Sequence, residues 1–418
     1  MTRQIPTLLF LLSARLLTGQ IGSGLVTWLT FDKPLCEISD EYGDPGVQVY
    51  TNGGSCRCGV QGSGLRLDGD GEWFSLYGER IDDVFKTIDF SLSFYMKPLS
   101  SPTTIGVESL FSKQFDCLPS SAFVVQYKPS SQLLSVELLE EGTLNNSLSA
   151  KLPSNSCWHH VVIVRREGTT TLYINREEVA KATAAGNRRV NISNSELLLV
   201  GSSGCADVDD FNGLIDEIRL YNRAISRNDI QDLYLFPDQI SAGLKFTGLN
   251  DTTIYLGSEV QLGVRNTCAA EYSWSPATWL DDPNLPGPLA SPNASTEYVV
   301  VLRDSLSNCA ARDTIRIQVV DPATVDCSDI LLPSAFTPNG DGLNDRFGIS
   351  NPFTAGEILA FQVYDRWGNV VFETQDPLGR WDGRYKGQDV NPGVYLYRIQ
   401  FRCQGEEGGV SGELTLIR

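Results

Sequence analysis

Histidine is almost missing from this chain: 418 residues contain two, His159 and His160, side by side. No Cys-x-x-Cys pair occurs, and Cys56-Arg-Cys58 is too tight for a usual zinc knuckle, so a zinc site is disfavoured. Adjacent residues on a strand point to opposite faces, so the two histidines read as structural rather than as a shared metal or catalytic pair. Long apolar runs are also lacking. The run Thr7-Leu-Leu-Phe-Leu-Leu falls far short of the ~20 residues a spanning helix needs, and no transmembrane segment is expected. Positive charge is scarce, with 33 Lys and Arg against 51 Asp and Glu, a net charge of −18. Such a surface repels nucleic acid and anionic membranes, so no nucleic-acid partner is expected. Long helical patterns are absent.

What is present points to β-structure. Glycine is frequent (38 residues), and 41% hydrophobic residues suffice for ordinary cores. The length predicts roughly two to four domains. Arg3, the apolar run and Leu16-Leu-Thr-Gly-Gln20 read as a signal peptide over 1–20, interrupted by Arg15. No cysteine sits at the expected cleavage point, which disfavours a lipoprotein. Ten cysteines in an exported chain imply disulfides. Six precede residue 210, two (Cys268, Cys309) lie in the middle and two (Cys327, Cys403) at the end. Even counts within each module predict Cys268–Cys309 and Cys327–Cys403. Pairing among Cys36, Cys56, Cys58, Cys117, Cys157 and Cys205 stays open.

Residues 21–236 carry recurrent strand patterns, among them Leu25–Phe31, Phe90–Met96, Ala122–Tyr127, Leu133–Leu138, Trp158–Val164, Thr170–Ile174 and Gly213–Tyr221. Apolar and polar residues alternate, as in half-buried strands, and the number of strands suits one large two-sheet sandwich. A short helix is predicted at 226–235, where Ser226 and Asp229 form a capping-box pattern before Ile230, Leu233 and Tyr234. The motifs Leu65-Arg-Leu-Asp-Gly-Asp-Gly-Glu-Trp-Phe74, Cys157-Trp-His-His-Val-Val162 and Phe211-Asn-Gly-Leu-Ile-Asp-Glu-Ile-Arg-Leu-Tyr-Asn-Arg-Ala-Ile-Ser226 resemble a LamG-like jelly roll of the concanavalin A-like lectin/glucanase superfamily. The resemblance implies binding of glycans or proteins, and in many members a structural calcium ion. Asp32 and Asp216 are the candidates for a Ca²⁺ that bridges the first and last strands; turn capping is the plain alternative. Related glucanases carry Glu-x-Asp-x-x-Glu, which this sequence lacks, and neither Asp207-Val-Asp-Asp210 nor Asp216-Glu217 has the spacing of a catalytic pair. The expectation is therefore no enzyme.

Residues 237–322 read as a small β-sandwich around the proline-rich loop 281–292. Tyr272-Ser-Trp-Ser-Pro-Ala-Thr, followed by Ser295-Thr-Glu-Tyr-Val-Val, resembles the PKD-like or Ig-like spacers of bacterial surface proteins. Trp274 is expected in the core, while Trp279 leads into the loop. Asp304-Ser-Leu and Asp313-Thr-Ile fit a short O-glycosylation pattern found in Bacteroidetes.

Residues 323–418 open on Pro333-Ser-Ala-Phe-Thr-Pro-Asn-Gly-Asp-Gly-Leu-Asn-Asp345. Asn339, Asp341, Asn344 and Asp345 crowd oxygen donors onto a sharp loop, which suits Ca²⁺. With Thr337 aligned first on an EF-hand loop, the twelfth position is Gly348 where that loop needs glutamate, so a site here would be of another type. A solvated Asn/Asp/Gly turn is the alternative. Strand patterns follow at 360–367, 370–373, 393–401 and 412–418. The opening loop, Val363-Tyr-Asp-Arg-Trp-Gly-Asn-Val-Val-Phe372, Trp381-Asp-Gly and Pro392-Gly-Val-Tyr-Leu-Tyr397 together resemble the gliding-motility-associated C-terminal domain, a type B sorting signal of type IX secretion. That implies the type IX secretion machinery as a partner and a secreted or outer-surface location.

The sequence thus describes an all-β chain: a large LamG-like jelly-roll sandwich followed by two smaller β-sandwich domains. Its expected role is extracellular binding or adhesion, with a glycan or surface protein as ligand. A structural surface protein without sugar binding is the alternative, and a carbohydrate hydrolase a more distant one.

Overall fold

Alternation along the strands builds the two sheets that organise the first part of the chain. The computed structural model describes residues 22–43, 46–86, 89–114, 117, 121–140, 143–184, 192, 194, 196–242, 251–265, 269–304, 306, 309–322, 324–325, 330–340 and 343–418. The expected signal peptide and Cys268, Cys327 and Asp341 lie outside them. The chain forms two compact units, the first running to Gln239 and including Val264–Tyr272 and Val301–Asp313.

In the first unit, one sheet orders Glu177–Thr183, Thr169–Ile174, His159–Arg166, Phe90–Pro98, Asn212–Tyr221, Ser63–Asp68 and Ser55–Cys58. Leu25–Leu29 pairs antiparallel with Asn212–Tyr221, so the first and last strands are neighbours. The facing sheet orders Thr143–Lys151, Leu133–Glu140, Ser121–Lys128, Glu108–Gln114, Leu198–Val200, Trp73–Tyr77 and Gln48–Asn52. Inward residues such as Phe94, Phe111, Phe123, Val136 and Ile163 fill one continuous core between the sheets. Phe94 and Phe111 meet across it with ring centroids 4.7 Å apart.

The central strands of the first sheet, Phe90–Pro98, His159–Arg166 and Asn212–Tyr221, are buried on both faces rather than half-buried as their pattern suggests. Val162, Val164 and Tyr221 face away from the main core, yet they are buried beneath Ile225, Ile230 and Leu233. The helix Arg227–Asp232 carries this cover. Ser226 caps it by accepting from Asp229 N–H, while the Asp229 carboxylate accepts from Ser226 N–H, the expected capping box. A further helix, Glu79–Lys86, was not anticipated; it buries Ile81, Val84 and Phe85.

Disulfides join Cys36 to Cys56 and Cys117 to Cys205. The expected Cys268–Cys309 bond does not form, because Cys309 is bonded to Cys157. The reason is that Val301–Asp313 is part of the first unit, which brings Cys309 within 5.8 Å of Cys157 between Cα atoms. Cys403 is disulfide-bonded, and its expected partner Cys327 lies outside the described residues.

In the second unit, Asp251–Tyr255 pairs in parallel with the stretch from Arg316 to Val320. Trp274 is core, its indole N–H donating to Leu285 O at 2.9 Å. A five-stranded sheet orders Ala335–Phe336, Glu406–Leu416, Gly393–Cys403, Glu357–Tyr364 and Val370–Thr374. Phe336, Phe347, Phe361 and Trp381 pack its core. Among the described residues no helix is long and apolar enough to cross a membrane.

Candidate functional site

Two openings lie side by side in the first unit and share Ser100. The first is a cavity of about 550 Å³. Its wall comes from the segment after Phe90–Pro98, from Tyr127 and Gln132, from Leu152 to Cys157, from His159, and from Asp304, Leu306, Cys309 and Ala310. Gln132 caps a one-turn 3₁₀ helix with φ of 53°, a left-handed position that turns the chain toward the cavity.

His159 gives this cavity its chemistry. It begins the His159–Arg166 strand, where alternation sends it to the face opposite His160. It is 4% exposed, and its Nδ1 has no hydrogen-bond partner. Burial holds its pKa down at about 4, so at neutral pH the ring is uncharged. A neutral imidazole offers one N–H donor and one bare acceptor, the same pairing that a hydroxyl group presents. Tyr127 is buried beside it, its phenol pushed up to about 12 by desolvation first and by Glu108 next. His160 has a structural role, stacked 4.5 Å from Tyr95 with Nε2 against Ser93 Oγ at 2.9 Å. The two histidines therefore divide as strand geometry requires.

The second opening, about 640 Å³, is acidic, lined by Asp68, Asp70, Glu108, Asp209 and Asp210. Most of these carboxylates hold loops. Asp210 accepts from Gly71 N–H at 3.0 Å and Asp68 from Asp70 N–H at 2.9 Å. Glu108 is 2% exposed and takes the Ser100 hydroxyl. Its pKa is raised, chiefly by desolvation.

The sequence-predicted metal residues fall in two other places. Asp32 and Asp216 converge on one turn, residues 59–63. Asp216 Oδ2 accepts from Val60 N–H at 2.8 Å and Gln61 N–H at 3.2 Å, and Asp32 Oδ1 from Ser63 N–H at 2.8 Å. These bonds give the two carboxylates the turn-capping role that was the alternative to a calcium site. In the C-terminal loop, Asp345 accepts from Gly340 N–H at 2.7 Å and Thr337 N–H donates to Asn344 O at 2.8 Å. Asn339 N–H donates to Thr337 O at 2.8 Å. Asp341 is outside the described residues. Among the described residues, no group of three or more His, Cys, Asp or Glu is placed to hold a metal ion.

Sequence reasoning passed over Glu108, Gln132 and Tyr127. Strand periodicity assigns Glu108 and Tyr127 a face and says nothing of Gln132 in its turn, and it cannot show that loops from distant parts of the chain close around them.

Residues 68–231 match the family described as the concanavalin A-like lectin/glucanases superfamily, and residues 330–416 match the CHU_C type IX secretion signal domain. No curated protein matches the chain. Among solved structures, the chain is similar to domain 4 of AbnA, a GH43 extracellular arabinanase from Geobacillus stearothermophilus solved with arabinotriose. They share 20% identity over 50% of this chain and 98% of that one, with a TM-score of 0.39. The binding domain of Paraclostridial Mosquitocidal Protein 1 is 14% identical over 93% of this chain and 89% of that one, TM-score 0.45. The Trypanosoma rangeli sialidase with the inhibitor DANA is 17% identical over 51% and 33%, TM-score 0.37. The chain thus carries a concanavalin A-like domain and a type IX secretion signal, which assigns it to the secreted and cell-surface proteins.

Proposed function

We propose that this exported chain is an extracellular binding protein whose sandwich takes a glycan in the cavity beside His159. The observation that carries this reading is an uncharged imidazole, 4% exposed, in the wall of a cavity of about 550 Å³. That size falls within the range of small-ligand sites. Sugar hydroxyls both donate and accept, and a neutral imidazole can meet either need. Gln132 and the serines at 100 and 154 add further groups of the same kind. The parts of 237–322 that belong to the second unit serve as a spacer in this reading, and residues 323–418 as the export address read by the type IX secretion machinery.

The test is glycan-array screening of the full chain, followed by calorimetry on any sugar retained. His159→Gln and Gln132→Ala should each weaken binding by about tenfold, the worth of roughly one hydrogen bond. A folded wild-type protein that retains no glycan at millimolar concentration would sink the reading and favour a structural surface role.

A second reading rests on Glu108. A buried carboxyl whose proton is held more tightly than usual has the character of a general acid. Hydrolysis of a glycan by the wild type that Glu108→Gln abolishes would establish it; no turnover across a substrate panel would remove it.

A further inference from the structure

Behind the wall of the cavity beside His159, where Asp304 and Leu306 line that cavity too, the first unit buries three charged side chains around one small void. Lys97 lies near the end of the Phe90–Pro98 strand, facing away from the main core and opposite Leu214 of the neighbouring strand. It is 3% exposed, and its ammonium sits 5.9 Å from the centre of the Trp158 ring. Its Nζ contacts Asp304 Oδ2, and the Asp304 side chain is 4% exposed. The other oxygen, Asp304 Oδ1, accepts the Leu306 N–H at 2.8 Å. Asp238 is 4% exposed and acts on Lys97 through its charge. Its own Oδ2 is fixed by Cys157 N–H at 2.8 Å and Trp158 N–H at 2.9 Å. Lys97, Asp238 and Asp304 line one void that leaves no room for a water molecule.

An ordinary ion pair is poorly served there. Removing both charges from water costs several kcal/mol per ion, which their attraction offsets only with further hydrogen bonds. Burial pulls the Lys97 amine down to about 8, so a neutral, nucleophilic fraction is at hand near neutral pH.

We propose that Lys97 and Asp304 condense into an amide bond, a covalent cross-link that the folded chain makes in itself. The Lys97 nitrogen attacks Cγ of Asp304, and the new C–N bond forms as the Cγ–Oδ2 bond breaks. Two of the three ammonium protons leave with Oδ2 as water, and the third remains on the amide nitrogen. No oxidant, reductant or cofactor is consumed. The Leu306 N–H on Oδ1 stabilises the negative charge that gathers there in the tetrahedral intermediate. Asp238 takes a proton from the amine and passes it to the departing oxygen. Holding amine and carboxyl in contact supplies the proximity that a dilute pair lacks, and the cavity on the other side of Asp304 gives the released water a way out.

The decisive measurement is mass spectrometry of the full chain, denatured and fully reduced so that the Cys157–Cys309 disulfide does not confuse the result. The expected chain is lighter than its sequence by one water, and its peptide map contains a branched peptide joining the Lys97 and Asp304 segments. Lys97→Arg and Asp304→Ala should restore the full mass. Asp304→Asn should lose one ammonia in place of one water, and Asp238→Asn should accumulate the open form. A folded wild type with the full sequence mass, and with Lys97 and Asp304 in separate peptides, overturns the proposal. The wild-type measurement decides the matter even if a variant fails to fold.

Discussion

Trp28 and Glu217 tie the first strand of the sandwich to the last. The indole N–H donates to Glu217 Oε2 at 3.0 Å across 189 residues of sequence. Glu217 sits at a bulge between Asp216 and Arg219, with φ of 53°. The Arg219 guanidinium pairs with the same carboxylate and lies 4.5 Å from the centre of the Trp28 ring. Glu217→Ala would strand an arginine and an indole N–H together. It should cost about 3 kcal/mol, read as a lower urea midpoint, whereas Glu217→Gln keeps an acceptor for the indole and should cost less.

Stability should vary with pH in two opposed ways. His159 and His160 are held at about 4 and about 3 by burial, below their usual 6.5. As pH falls below 6.5 the unfolded chain takes up protons that the folded chain refuses, so stability is lost on acidification. Asp216 is pushed up to about 9, by burial first and by Glu217 next. As pH rises from the usual 3.8 toward 9, the unfolded chain releases a proton that the folded chain keeps, so stability is lost again. These three groups place the optimum near pH 6.5, the histidines' usual value. Urea midpoints across pH should show it, and His160→Gln should flatten the acid limb.

Peptide mapping without reduction should recover Cys157 linked to Cys309, Cys36 to Cys56 and Cys117 to Cys205. A Cys157→Ser, Cys309→Ser double variant should lose about 3 kcal/mol. Hydrogen exchange should then speed up within residues 301–313.

Gly59 is closely enclosed. A Cβ there would stand 2.4 Å from Asp216 Oδ2 and 2.6 Å from the Ser63 carbonyl carbon. Gly59→Ala must displace both the carboxylate and the backbone, at a cost of about 2 kcal/mol. Gly43→Ala meets no neighbour within 4 Å and should lose only the turn's preference for glycine, about 1 kcal/mol. Thermal unfolding of the two variants makes the comparison.

Calcium offers a further contrast. If Asp32 and Asp216 only cap the 59–63 turn, a chelator leaves the unfolding midpoint of the first unit unchanged, whereas a fall would give them a calcium ion. A calcium-dependent rise would then belong to the Asn339–Asp345 loop, and Asp345→Ala should remove it.

Much of the fold was legible because local chemistry specifies it. The Ser226–Asp229 cap, the alternating strands around Phe94 and Ile163, and the buried Trp274 all follow from short-range patterns. Other features depend on what later folds over a residue. Val162 and Val164 look like the outer positions of a half-buried strand until the helix Arg227–Asp232 covers them. Lys97 stands at the end of an alternating strand where a lysine reads as solvated, and Asp304 reads as part of a modification tripeptide. Only the return of Val301–Asp313 to the first unit brings them together. Cysteine counts failed for the same reason: Cys157 and Cys309 are separated by 152 residues, and parity within a module carries no information about such a return.

The Cys157–Cys309 bond also fixes how tension travels. A pull applied along the chain from the C-terminal side reaches Cys309 first and crosses the disulfide directly to Cys157. The stretch from 158 to 308 becomes a covalently closed loop, so that pull cannot draw it out to its full length while the bond holds. The helix Arg227–Asp232 and the Asn212–Tyr221 strand lie within this closed loop, so neither can be unravelled from the C-terminal side while the bond is intact. Reduction of this bond would leave the Lys97–Asp304 link alone to keep them from being unravelled.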